Sequence, residues 1–300
     1  MTETLQNDDA ARTILLATDL SARCDRALDR AARLSREWGG RLVVLHVLDP
    51  AERFLERRHL DYLPAWRRPA ERQRLVERRL RRDLGDTVPS LEVRVVEGDP
   101  AERIVDVAQS SACDLVVTGV ARDETLGRAL LGSTVDRLVR HSPVPVLVVR
   151  RRGAPYGKVL VAIDFSESSR HALDVAARLF PDAALTLAHA FDPPFAGLLD
   201  DRSHDEGVAA AERAVRDTFL AGSALSDEQR RRLEVVIAPG KPETMIRTYM
   251  EDNDIDLVVL GTHGRSAVFE VLIGSTAKRL LEGAPGDVLL VRDPRSIGVD

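Results

Sequence analysis

Asp256 to Thr276 reads DLVVLGTHGRSAVFEVLIGST. Leu257 to Leu260 is a short apolar run, the pattern of a strand buried on both faces. Gly261 and Gly264 then break the run, and Gly274-Ser275-Thr276 opens a helical pattern. A strand feeding a glycine-rich turn and then a helix start is suited to phosphate. Bare glycine backbone comes close to a ligand, and the unpaired amides of a helix N-terminus favour an anion.

The same frame occurs earlier in the chain. DLVVTG at 114–119 matches DLVVLG at 256–261, and GSTVDRLVRHSPVPVLVVR at 132–150 matches GSTAKRLLEGAPGDVLLVR at 274–292. TILLATDLS at 13–21 matches KVLVAIDFS at 158–166, and RALDRAARL at 26–34 matches HALDVAARL at 171–179. VVLHVLDP, ending at Pro50, matches LTLAHAFDP at 185–193, and the Gly98 turn matches the one at Gly240. The chain is therefore a tandem duplication, with domains expected at 1–152 and 153–300. Each copy alternates strand and helix about five times, which predicts two doubly wound α/β units. Each should be a mainly parallel sheet with helices on both faces and right-handed crossovers. In such sheets ligands bind beyond the carboxyl ends of the strands. Asp19 and Asp164 end first strands, and Gly119 and Gly261 end fourth strands, so candidate site residues collect on one edge.

Local signals fill in the frame. Ser21 is suited to cap a helix carrying Cys24, Ala27, Leu28, Ala31 and Leu34, which Trp38-Gly39-Gly40 ends. Asp99-Pro100-Ala101-Glu102 reads as a helix start. Leu91 to Val96 alternates apolar and charged residues, the pattern of a strand near a sheet edge. Pro143 to Val149 reads as a last strand. Glu71 to Leu84 reads as a helix burying Leu75, Val76, Leu80 and Leu84. The arginines from Arg67 to Arg82 are interleaved with Glu71, Glu77 and Asp83, a solvated helix with i,i+4 pairs rather than a nucleic-acid surface.

Composition narrows the class. With 4% aromatic residues the core must be aliphatic. The net charge is -5, carried almost wholly by the second half, so no global basic character points to nucleic acid. The two cysteines, Cys24 and Cys113, read as small buried positions without a redox role. The start MTETLQNDDA lacks the pattern of a signal peptide, and no apolar run is long enough for a bilayer, so a cytoplasmic location is expected. His46 and His189 end second strands at matching places and read as structural. No activated nucleophile with its base, shared carboxylate pair, metal-ligand set or GxxxxGK[ST] loop is present. The pattern therefore points to binding rather than turnover, with no catalytic residue and at most slow hydrolysis.

Gly261-x-x-Gly264-x9-Gly274-Ser275, the Asp-Phe-Ser at 164–166, the Gly240-Lys241-Pro242 turn and the VPVLVV strand at 144–149 together resemble the universal stress protein (UspA) family. The resemblance covers nearly the whole chain in two copies. It implies a five-stranded parallel sheet of the adenine nucleotide α-hydrolase-like type in each. It implies halves that pair with each other, with a homodimer or an unidentified protein partner also open. It further implies a stress-response sensor or regulator that binds ATP or another adenine nucleotide, with or without Mg. By this resemblance Gly261, His263, Gly264, Gly274, Ser275 and Thr276 surround the phosphates and ribose. Asp164, with Ala162 before it, meets the nucleoside, and Ala190 and Leu260 line the adenine pocket.

The first copy departs from the motif. It keeps Asp19, Gly119, Gly132, Ser133 and Thr134, with Val47 in the place of Ala190, but has Ala121-Arg122 where the second has His263-Gly264. If that position needs positive φ, arginine costs on the order of 1 kcal/mol. Arg122 could instead contact a phosphate. The first copy is thus a weaker second site, and binding is expected mainly in the C-terminal domain. Bland roles stay open: Ser133, Ser275, Asp19 and Asp164 as helix caps, and Gly261 and Gly264 as turn glycines. Two other functions also stay open, an ATP-hydrolysing or nucleotidyl-transferring enzyme of the related superfamily and a nucleotide-free interaction protein.

Overall fold

The computed structural model describes residues 12–21, 24–48, 74, 77, 78, 80–82, 88, 90–120, 132–152, 154–191, 210, 213, 218–262 and 273–293. By its contacts the chain divides into two compact units, Met1–Thr118 and Gly119–Asp300. Among the described residues no helix is long and apolar enough to cross a membrane.

In the first unit, β1 (Thr13–Ala17), β2 (Arg41–Leu48), β3 (Ser90–Glu97) and β4 (Leu115–Gly119) form a parallel array in the order β3-β2-β1-β4. The uninterrupted apolar runs of β1, β2 and β4 are buried, as strands covered on both faces must be. The alternating β3 is partly exposed at the edge. Helix α1 (Asp25–Glu37) buries Ala27, Ala31 and Leu34. Ser21 does not cap it. A turn in which the Ser21 carbonyl accepts the Cys24 N–H intervenes, and no side chain caps α1. Helix α2 (Pro100–Ser110) starts as its sequence predicts, with the Asp99 carboxylate accepting the Glu102 N–H at 3.0 Å. Of the arginine-rich stretch, Leu80 is buried and Arg81 pairs with Glu77 at 2.9 Å, one turn away. Leu75, Val76 and Leu84 lie outside the described residues.

The second unit holds α3 (Ser133–His141), β5 (Val146–Val149), β6 (Lys158–Ala162), α4 (Glu167–Leu179), β7 (Ala184–Phe191), α5 (Asp227–Arg232), β8 (Glu234–Pro239), α6 (Pro242–Asp252), β9 (Leu257–Gly261), α7 (Ser275–Gly283) and β10 (Asp287–Val291). Its strands run in the order β5-β10-β9-β6-β7-β8. The β10–β9, β9–β6, β6–β7 and β7–β8 pairs are parallel. Strand β5 is shorter than the Pro143–Val149 run, because the two prolines cannot donate and a Ser142–Val144 turn precedes it.

The exception to parallel pairing joins the two copies. β5, the last strand of the first copy, pairs antiparallel with β10, the last of the second, with Val148 opposite Val288 and Val146 opposite Leu290. At the start of β10 sits Asp287, 0% exposed. Its Oδ1 accepts the N–H groups of Arg150 (2.7 Å) and Arg151 (3.0 Å), and its Oδ2 accepts the Tyr156 hydroxyl at 2.5 Å. Tyr156 packs edge-on against Phe180, with ring centroids 5.2 Å apart. A buried carboxylate is tolerated only when its oxygens are paired. Here the pairing folds the segment between the copies against β10. Its counterpart in the first copy is Pro145, so the clamp exists once.

A second device occurs in both copies. Asp114 Oδ2 accepts the Thr13 N–H at 2.9 Å, and Asp256 Oδ2 accepts the Gly157 and Lys158 N–H groups at 2.9 and 3.0 Å. Each aspartate precedes a fourth strand and holds the start of a first strand. Replacing Asp287 with alanine strands two amides and a hydroxyl, so Asp287→Ala should lower unfolding free energy by about 3 kcal/mol. Urea denaturation followed by far-ultraviolet circular dichroism checks this, and an unchanged midpoint would refute the clamp.

Candidate functional site

At the carboxyl end of β6 the chain leaves the sheet in a fixed turn. Ile163 extends the ladder by donating its N–H to the Ala188 carbonyl at 2.9 Å. Asp164 follows, and its Oδ1 accepts both the N–H (3.0 Å) and the hydroxyl (2.5 Å) of Ser166. Ser166 Oγ in turn caps α4 by accepting the Ser169 N–H at 3.1 Å. Asp164 therefore orients the cap and is not itself the cap. Between them Phe165 sits at φ 65°, a left-handed conformation unusual for a bulky residue and held by its surroundings. Its ring lies edge-on to His189 at 4.5 Å and to the buried Phe219 at 6.0 Å. Ala162, opposite Ala188, and Ala190, farther along β7, stand half-buried at the same strand ends.

The end of β9 comes to the same place. An added Cβ on Gly261 would lie 2.7 Å from Ser168 Oγ and 3.2 Å from the Ser168 backbone. Gly261 is thus bare because the first turn of α4 packs on it. Leu260, beside it, is 3% exposed. Thr262 is buried and continues the ladder by donating its N–H to the Val291 carbonyl. Its own carbonyl accepts the Gly274 N–H at 3.0 Å. The segment leaving the sheet at Thr262 therefore returns to the same peptide, where α7 begins. His263 and Gly264 lie outside the described residues.

Gly274, not Ser275, is the N-cap of α7, and among the described residues no side chain caps the helix. Gly132 occupies the same place before α3, with Ser133 inside the helix. The capping role expected of Ser275 and Ser133 is thereby corrected: each begins its helix one residue after the cap, and the cap has no side chain to donate or accept. Gly274 has φ −55°, and among the described residues an added Cβ would meet nothing closer than the Thr262 carbonyl at 3.7 Å. Neither its φ nor packing among the described residues requires a glycine there. The bare cap and the uncapped first-turn amides fit an anion, and Ser275 and Thr276 stand in that turn.

The two copies differ in charge at this point. Asp136, in the first turn of α3, is paired with Arg140 at 2.9 Å. The corresponding residue of α7 is Lys278, and that first turn holds no acid. Negative charge at a helix N-terminus opposes an anion there, and the start of α7 is without it.

In the first copy, Asp19 Oδ1 accepts the Ser21 N–H at 2.8 Å, and Leu20 takes φ 62°, as Phe165 does. Burial is the largest single influence and works to raise the Asp19 carboxyl, but hydrogen bonds from Ser21, Cys24 and its own backbone together outweigh it and hold the group below its ordinary value. Asp19 and Val47 belong to the first unit; Gly119, Gly132, Ser133 and Thr134 belong to the second. Arg122 lies outside the described residues. His46 and His189, which the sequence reads as structural strand-end residues, have structural bonds here. Each binds the carbonyl just before a candidate-site aspartate: His46 Nδ1 with Thr18 O at 2.9 Å, and His189 Nδ1 with Ile163 O at 2.8 Å. Their matched positions in the repeat were the available signal.

Two outcomes follow from this geometry. Gly261→Ala should destabilise the fold by about 1–3 kcal/mol through overpacking on Ser168. Gly274→Ala, which meets no obstacle, should cost less than about 1 kcal/mol. Paired thermal melts test the contrast, and equal effects would contradict it. Both thiols should be inert: burial pushes Cys24 and Cys113 up to about 11. Alkylation by iodoacetamide at pH 8 should then be far slower than for free cysteine and should climb as pH approaches 11. Rapid labelling at neutral pH would count against this.

Comparison with known proteins places the frame. The universal stress protein family model matches residues 10–150 and again 155–292. A universal stress protein of Mycolicibacterium smegmatis is 26% identical over 306 residues, spanning 93% of this chain and 96% of its own. One from Synechocystis sp. is 30% identical over 181 residues, 60% of this chain and 58% of its own length. Among solved structures, a functionally unknown protein of Pseudomonas aeruginosa superposes with a TM-score of 0.69 at 24% identity, covering 97% of this chain and 95% of its own. A universal stress protein of Archaeoglobus fulgidus gives 0.66 at 19%, covering 93% and 98%. These two likenesses concern the fold alone. With two matched segments, a duplicated α/β frame and both copies of the strand–glycine–helix element, the chain belongs to the universal stress protein family.

Proposed function

We propose that this chain is a two-domain universal stress protein, with domains at 1–152 and 153–300, that binds ATP or another adenine nucleotide in its C-terminal domain and acts as a stress-response sensor or regulator. The observation that carries the reading is the start of α7. Among the described residues its glycine cap is demanded by neither φ nor packing and its first turn has no side-chain cap, that turn holds no acid, and the Gly274 amide bonds the Thr262 carbonyl just past β9. Phosphate is the ligand such a start accommodates. Gly274, Ser275 and Thr276, with Gly261, His263 and Gly264, would hold the phosphates and ribose. Asp164 would accept hydrogen bonds from the nucleoside, with Ala162, Ala190 and Leu260 beside the base. Mg, if bound, would neutralise phosphate charge.

Asp164 and Gly261 are linked through the start of α4, which packs directly on Gly261 and whose cap Asp164 orients. A nucleotide contacting both would favour whichever state of the chain keeps these elements together, and so could bias a partner protein's affinity. A cytoplasmic location accords with two unreactive free thiols.

The purified full chain should release about one adenine nucleotide on denaturation, and ATP titrated into stripped protein should give heat at a single site. Gly264→Arg, which copies the first repeat into the second, should weaken binding at least about tenfold. Absence of both released nucleotide and titration heat would overturn the reading and leave a nucleotide-free interaction protein. Release of about two per chain would show that the first copy also binds.

A further inference from the structure

His189 touches the residues on both sides of Asp164. Its Nδ1 is 2.8 Å from the Ile163 carbonyl, and its ring lies 4.5 Å from the Phe165 ring at an interplanar angle of 66°. The β6–β7 register ends at Ala162 opposite Ala188, and Ile163 still donates to the Ala188 carbonyl. Beyond that the backbone turns away, and the imidazole takes the Ile163 carbonyl. A carbonyl can only accept, so Nδ1 must carry the proton, and in the neutral ring Nε2 is then unprotonated. Phe165 is the residue at φ 65°, a conformation that persists only where surroundings over-determine it.

The first copy repeats half of this arrangement. His46 Nδ1 meets the Thr18 carbonyl at 2.9 Å, and Leu20 takes φ 62°. Leu20 supplies no ring, so the aromatic half of the bracket belongs to the second copy alone. The recurrence of the imidazole–carbonyl bond at two matched strand ends argues against a chance contact. The aromatic addition falls in the copy whose α7 start suits an anion.

We propose that His189 is a positioning residue for Asp164: its Nδ1–H on the Ile163 carbonyl and its ring on Phe165 hold the left-handed turn that presents the carboxylate to a nucleoside. This rests on the nucleotide reading above. His189 itself need not touch the ligand.

Two variants and one spectroscopic measurement test it on the full chain. His189→Phe keeps a ring against Phe165 but removes the donor, and His189→Asn places an amide N–H close to where Nδ1 stood. The phenylalanine variant should bind ATP about tenfold more weakly, the effect of losing one positioning hydrogen bond, whereas the asparagine variant should stay within about threefold of the parent. A purely structural role would lower the melting temperature of both without separating their affinities. Imidazole ¹H–¹⁵N spectra at alkaline pH should show His189 as the Nδ1–H tautomer. Wild-type-like ATP affinity in His189→Phe, or an Nε2–H tautomer, overturns the positioning role while leaving the nucleotide site intact. If the parent chain itself binds no ATP, the nucleotide reading fails and the positioning role falls with it, whatever the tautomer.

Discussion

The linker between the two copies is held at both ends by carboxylates, and the geometry of the second copy descends from that. Asp287, fully buried, takes the amides of Arg150 and Arg151 and the Tyr156 hydroxyl. Asp256 takes the amides of Gly157 and Lys158, where β6 begins. A strand that starts at a fixed point in a parallel ladder also ends at one, because one residue of slip would turn every side chain to the other face. The end of β6 is where Asp164 leaves the sheet. Burying Asp287 would be costly if its oxygens were unpaired. With two backbone amides and a phenol on them, the same burial makes the linker path specific. The antiparallel β5–β10 pair adds a ladder between the last strands of the two copies and gives β10 neighbours on both edges.

Two glycines of one motif are bare for different reasons. Gly261 has no room, since α4 lies against it, whereas Gly274 has both room and an ordinary φ. One motif thus holds a glycine that packing requires and one that the described packing does not, and sequence spacing alone does not separate them. Charge divides the copies in the same way. Asp136 fills the first turn of α3 and answers Arg140, while Lys278 stands in its place in α7. This one exchange of charge, separate from the Arg122-for-Gly264 exchange, removes from α7 an acid that would oppose an anion.

Much of the frame was legible because it was written twice. The apolar runs at Ile14, Leu42, Leu115 and their partners are buried strands because strands covered on both faces leave no polar position. Asp99-Pro100-Ala101-Glu102 behaves as read because a cap and an N1 proline act within four residues. Reading failed where the answer depended on distant chain. Ser275 looks like a cap, but the Thr262 carbonyl takes the Gly274 amide and sets the helix start one residue earlier. Ser21 looks like a cap, but here the cause is local: a turn onto Cys24 separates it from α1.

The sequence by itself determined the duplication, the parallel α/β class, the strand–glycine–helix element and the loss of Gly264 in the first copy. These follow from composition and periodicity, which act over short distances along the chain. Only the tertiary structure decided that His189 brackets Asp164, that Gly261 belongs to packing, and that Asp287 folds the linker onto β10. Each of those pairs residues far apart in sequence or needs a cross-strand register, and register is fixed when strands bury their faces together rather than by any local preference.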